Sequence, residues 1–205
     1  MKNFNVTQIS IVIPVEFGNV SEVRKAGLDT ILIKSKKFDV SILSPIGILY
    51  VKNSKNANLI ISPNKITYTI GNSTLDEEFG IVLKEIYKKL ILPEEITLSF
   101  NIRATNDSEN SIEISRNIFD SKFNDVLKNI SDIYGVGYRF FIKNNEIQCD
   151  IRMEPLLSDN SKYIHQISGV LKNTVKIDDI KCEIDKQIEN IKIYIEPIMK
   201  QIGQC

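Results

Sequence analysis

Eight isoleucines near the C-terminus limit the folds open to this chain more than any other feature. Ile177, Ile180, Ile184, Ile188, Ile191, Ile195, Ile198 and Ile202 recur at steps of three and four. At 3.6 residues per turn they form one stripe, while Asp178, Asp179, Lys181, Glu183, Asp185, Lys186, Glu189 and Lys192 fill the opposite face. One long amphipathic helix follows, and it needs a broad apolar surface to lie on. The stripe is not a clean heptad, because Gln187 and Gln201 fall where a coiled-coil seam would carry leucine. A helix packed on its own sheet is therefore expected over an exposed dimerisation helix. Pro197 is expected to kink this helix or end its regular part.

The sheet is legible upstream. From Thr7 to Phe17 the apolar residues alternate as Ile9, Ile11, Ile13, Val15 and Phe17, the period of a half-buried strand. Ser21 to Ala26 suggests a short helix, capped by Asn19 or Ser21 and stopped by Gly27. Segments Thr30–Lys34, Phe38–Leu43, Gly47–Lys52, Asn58–Ser62 and Lys65–Ile70 then read as an antiparallel meander, with Pro63-Asn64 as one of its turns. At Leu75 the period changes. Leu75, Phe79, Val82, Leu83, Ile86, Tyr87 and Leu90 share one helical face, with a capping box from Thr74 to Glu77 and Pro93 just beyond the end. Glu95–Arg103 alternates again, and Asn106 to Asn110 is a polar loop. A helix is predicted over Ile118–Ile130, with Phe119, Phe123, Val126, Leu127 and Ile130 inward. Tyr134–Lys143 and Glu146–Met153 form a hairpin over Asn144-Asn145, and Tyr163–Leu171 is a further strand.

The expected fold class is α+β: a curved antiparallel sheet with long helices packed on one face, and an internal pseudo-duplication. Residues 1–92 make a β-rich half ending in a long helix. Residues 93–205 make an α+β half ending in the amphipathic helix, and the two form one compact unit. Strand, helix, strands, long helix is the order in each half, the first helix being short in the first half. That order resembles the duplicated saddle of the TATA-binding-protein-like fold, in which a curved antiparallel sheet carries its long helices on the convex side. The resemblance rests on element order, and it transfers no functional residue.

Composition narrows the function classes. Lys+Arg and Asp+Glu balance at 26 each, without the basic excess of a dedicated nucleic-acid binder. Enrichment in Ile, Asn and Lys, residues with AT-rich codons, suggests a low-GC genome. No apolar run approaches the roughly 20 residues of a membrane span, and no leader pattern opens the chain, so a cytoplasmic location is expected. Cys149, Cys182 and Cys205 are widely spaced without a Cys-x-x-Cys pair, which argues for plain thiols over a disulfide framework or zinc site.

Chemical motifs are sparse. The single histidine, His165, sits on a strand with no nucleophile motif nearby, a poor setting for a general base. Asp150-x-Arg152-x-Glu154 puts two carboxylates and a guanidinium on one strand face, better read as a cross-strand ion-pair ladder than a metal site. Phosphate-loop and dinucleotide-loop patterns are absent, so no catalytic residue, metal ligand or cofactor is assigned. Candidate partner-facing residues come from the outward side of the strands: Thr97, Asn101, Arg103, Arg139, Gln148, Asp150, Arg152 and Glu154. Hairpin register leaves two outward sets open, Arg139, Phe141 and Lys143, or Tyr138, Phe140 and Ile142. The expected function is a non-enzymatic protein-interaction module, a subunit or adaptor of a prokaryotic assembly with a protein partner or a second copy. The alternatives are a nucleic-acid-associated protein using the outer sheet face, and a small-molecule sensor with its ligand between sheet and last helix.

Overall fold

The computed structural model describes residues 4–71, 74–75, 77–93, 95–117 and 135–202. Strand β1 (Asn5–Pro14) buries Val6, Ile9, Ile11 and Ile13. A bulge between Val6 and Gln8 resets which parity faces the core.

Helix α1 (Glu22–Leu32) corrects two expectations. It runs through Gly27, and it absorbs most of the segment Thr30–Lys34 that alternation suggested as a strand. Ser21 caps it by accepting the Arg24 N–H at 3.3 Å. Lys25 pairs with Asp29 at 2.7 Å one turn along. Leu28 and Leu32, four apart, are fully buried, and that burial outweighs the β-branched local sequence.

The meander follows as β2 (Val40–Ser44), β3 (Gly47–Lys52), β4 (Ala57–Ser62) and β5 (Lys65–Ile70). Helix α2 (Glu77–Leu90) buries Phe79, Val82, Leu83, Ile86 and Tyr87. The expected strand Glu95–Arg103 is split into β6 (Glu95–Ile96) and β7 (Ser99–Asp107), with Thr97 and Leu98 between them. β7 also runs through Asn106 and Asp107, which had the composition of a loop. A helix, α3, already occupies residues 111–117. Asn110 starts it, accepting the Glu113 N–H at 3.3 Å while its own amide donates to the Glu113 carboxylate at 2.9 Å. The helix expected over Ile118–Ile130 lies outside the described residues.

β8 (Tyr138–Lys143) and β9 (Ile147–Pro155) form the predicted hairpin, whose turn is held by the Asn144 Oδ1 accepting from the Glu146 and Ile147 N–H groups. β10 (Lys162–Leu171) returns to the centre, and β11 (Val175–Lys176) pairs with β6 in a separate two-stranded sheet. A 3-10 turn at Ile177–Asp179 leads into α4 (Ile180–Ile202). Pro197 does not end α4. It lies on the exposed side, where water can satisfy the carbonyl one turn back that loses its N–H partner.

Nine strands make one antiparallel sheet in the order β2-β3-β4-β5-β1-β7-β10-β9-β8. With four helices among the described residues the fold is α+β. One apolar cluster joins inward side chains of β1, β3, β4, β5, β7, β9 and β10 to Leu28 and Leu32 of α1, the buried face of α2, and Ile180 to Ile195 of α4. A second joins Met153 and Tyr163 to Ile202, with Ile114 of α3 packed against it. Every helix therefore contributes to the same side of the sheet. Among the described residues no helix is long and apolar enough to cross a membrane.

Gln187 breaks the apolar stripe of α4. It is fully buried; its Nε2 donates to Glu183 at 2.6 Å, and its Oε1 has no partner. A buried acceptor left unpaired costs about 1–3 kcal/mol. Gln187→Leu is therefore expected to stabilise the protein by about 1 kcal/mol in urea unfolding, and a loss of stability would show that the amide is satisfied.

Candidate functional site

The face of the sheet opposite the helices is open among the described residues, and the strand register fixes what it presents. One row crosses the strands as Val40, Val51, Asn58, Thr69, Ser10, Asn101, Ser168, Asp150 and Phe141. A neighbouring row runs Ile42, Leu49, Ile60, Thr67, Val12, Ser99, Val170, Gln148 and Lys143. The face thus has three zones. The β2–β4 wing is apolar, with Val40 and Ile42 exposed. Its centre is small and polar. The β9–β8 wing is charged.

Seven of the eight residues picked from sequence lie on this face: Asn101, Arg103, Arg139, Gln148, Asp150, Arg152 and Glu154. Thr97 does not, because the break between β6 and β7 takes it out of the nine-stranded ladder. The open question of hairpin register is settled: Arg139, Phe141 and Lys143 point outward, while Phe140 and Ile142 pack against the core. Sequence reasoning missed Gln166, Ser168 and Val170 of β10, although the alternation of Tyr163, His165, Ile167, Gly169 and Leu171 marks the inward set and hence the outward one. It also missed the apolar wing.

In the charged wing, Arg139 and Arg152 stand directly opposite each other. Asp150 holds them together. It accepts two bonds from Arg139, at 2.9 and 2.7 Å, and lies 3.7 Å from Arg152. The Arg139 guanidinium bonds hold the Asp150 carboxyl below the usual range, against a smaller opposing effect of burial. Arg139 also stacks over Phe141, 4.7 Å from the ring centroid, and Phe141 is 70% exposed. Beside this cluster is a trough of about 350 Å³. Ser99, Asn101 and Ser168 floor it, and Phe141, Gln148 and Val170 border it. Ser168 donates to the Asn101 Oδ1 at 2.7 Å, which fixes the floor.

No protein-family model, no curated protein sequence and no solved structure matches this chain.

The remaining chemistry lies on the other side of the sheet. His165 is fully buried, bonded through Nε2 to the Asn106 Oδ1 and set 5.4 Å from the Phe4 ring. Burial lowers its pKa to about 4, and water has no access to it. Cys149 is buried and its thiol is pushed up to about 11 by desolvation; Cys182 is exposed, and Cys205 lies outside the described residues. Among the described residues no group of three metal-ligating side chains comes together. A cavity of about 420 Å³ opens between the end of β7, Tyr163 and the last turns of α4, where Met199 and Ile202 form an apolar wall and Glu109 and Lys200 a charged one.

Proposed function

We propose that this chain is a non-enzymatic protein-interaction module, a subunit or adaptor of a prokaryotic assembly that holds its partner on the open face of the sheet. The observation that carries this reading is the charged wing, where an exposed phenylalanine sits beside a built trough and paired ions. Aromatic anchors surrounded by charge are the composition of protein-recognition surfaces. A merely solvated face has no need of a ring 70% exposed at the border of a depression.

The strand order supports the saddle resemblance. β1 and β7 lie side by side at the centre, and each opens a half in which a helix follows, then a meander returning to that strand, then a long helix. Within the nine-stranded sheet the second half contributes four strands against five from the first, among the described residues. A pseudo-duplicated saddle would place the partner across its middle, where the small polar side chains of β5, β1, β7 and β10 leave room. The sensor alternative has the cavity at the end of α4 in its favour. The nucleic-acid alternative has the arginines, but the chain carries no basic excess, and the trough beside them offers an apolar seat that a phosphate backbone does not fill.

A photo-crosslinking residue at Gln166 or at Gln148, with the full chain expressed in its native cells, tests the reading. Adducts of defined mass are expected from both positions and not from Lys192 on the helix side. Failure to form any adduct on the open face, or equal labelling from both sides, would sink it.

A further inference from the structure

A third row on the open face crosses five strands as Arg139, Arg152, Gln166, Arg103 and Gln8. Neighbouring strands are about 4.8 Å apart, so its three guanidinium stems span about 15 Å in a line perpendicular to the strands. Local structure does not call for this line. Like charges directly opposite in a ladder destabilise it, and Arg139 and Arg152 share one carboxylate, that of Asp150. Arg103 has no carboxylate partner among the described residues. Glu154, two residues from Arg152 on the same face, makes no ion pair with it; its side chain lies against Gly137 instead. Positive charge is thus left uncompensated on both sides of Gln166, next to the trough.

We infer that the arginine row and the adjoining trough form a docking site for an acidic segment of a partner protein, with carboxylates on Arg152 and Arg103 and an apolar side chain in the trough. This rests on the reading of the open face as the interaction surface and adds the chemistry of what it takes. Carboxylates match the forked donors of arginine. The trough accepts an apolar side chain between Phe141 and Val170, which a phosphate backbone does not supply. Lys143, exposed at the end of β8, extends the positive rim.

The test is fluorescence anisotropy of the full chain with three fluorescein-labelled probes: a peptide with a phenylalanine between two pairs of glutamates, its lysine counterpart, and a single-stranded DNA of similar length. The acidic peptide is expected to bind at low salt and to weaken as salt rises. Arg103→Ala, an exposed change that leaves the core intact, is expected to weaken binding roughly three- to five-fold. Adding Arg152→Ala should weaken it roughly ten-fold or more, while Lys192→Ala on the helix side changes nothing. Equal binding of the lysine peptide, or indifference to both arginines, overturns the inference. Arginine-dependent binding of DNA in preference to the peptide overturns it in favour of nucleic acid. Crosslinked adducts from Gln166 without acidic-peptide binding would end this inference alone and leave the face-directed reading standing.

Discussion

Acidification from above pH 6.5 to below pH 4 is expected to remove about 3 kcal/mol of folding stability through His165 alone. The ring is fully buried, and desolvation lowers its pKa from 6.5 to about 4. At about 1.4 kcal/mol per pH unit, that displacement sets the size of the effect. The sign follows from proton counting. Between the two values the unfolded chain binds a proton that the folded chain refuses, so stability is complete above 6.5 and falls as the pH drops through about 4. The structure shows why the folded state refuses it. Nε2 is bonded to Asn106 Oδ1, while Nδ1 is buried without a partner, so the imidazolium would carry an N–H with no acceptor. Asn106 is itself held, since its amide donates to the Asp107 carbonyl at 3.2 Å. The chain has one histidine, which makes the window diagnostic. One exposed carboxylate acts lower. Asp159, held down to about 2 by the Lys162 ammonium and the Ser161 hydroxyl, is stabilising above the ordinary carboxylate range and loses that contribution only as the pH falls toward 2. Urea unfolding across this range should give a steep pH slope for the natural chain and a shallow one for His165→Gln. A slope that survives the substitution would remove His165 as its cause.

The same pair shows where the sequence is hard to interpret. Asn106 has the composition of a loop residue, yet it lies in β7 because a buried histidine on β10 satisfies it; the partner is 59 residues away. Elements whose inward side is apolar and outward side polar were legible. β1, β9, β10, α2 and α4 all carry their period openly. Of α1 only the first turns and the Ser21 cap were legible, because Thr30, Ile31 and Ile33 carry strand propensity while the deciding contacts of Leu28 and Leu32 are tertiary. The open face was legible only on one side. In β7 and β9 polar residues alternate with apolar ones, and their outward sets came out correctly. In β2, β3 and β4 both faces carry apolar residues, so alternation disappears and the wing of Val40, Ile42, Leu49, Val51 and Ile60 left no signal. Thr97 failed for a different reason: the run from Glu95 to Arg103 alternates throughout, and only the pairing of β6 with β11 shows that its first residues belong to another sheet.

Gly169→Ala is expected to cost about 2–3 kcal/mol, a fall of roughly 5–10 °C in Tm, although it adds one methyl group to a strand. In most strands that change is neutral or stabilising, because glycine gives up more backbone freedom on folding. Here the inward position of β10 is already filled. Phe100 stands directly opposite in β7, and its ring tip occupies the space where a Cβ on residue 169 would project. The ring is 1% exposed within the main core, so it has no open direction in which to move. Glycine is thus the counterpart of the phenylalanine, and the two act as one packing unit. A double-mutant cycle separates this from ordinary strand propensity. Phe100→Ala alone should cost about 3–5 kcal/mol. With the ring gone, Gly169→Ala should cost nothing and could regain a few tenths of a kcal/mol, leaving a coupling energy of about 2–3 kcal/mol. Equal costs of Gly169→Ala in the two backgrounds would mean that the backbone at 169, and not the ring, requires glycine. The consequence reaches the open face. Ser168 and Val170, which help form the trough, flank Gly169 on the same strand, so a ring forced against β10 would shift both. Gly169→Ala should therefore weaken partner binding even at temperatures where the chain stays folded, whereas Gln187→Leu, on the buried face of α4, should leave it unchanged.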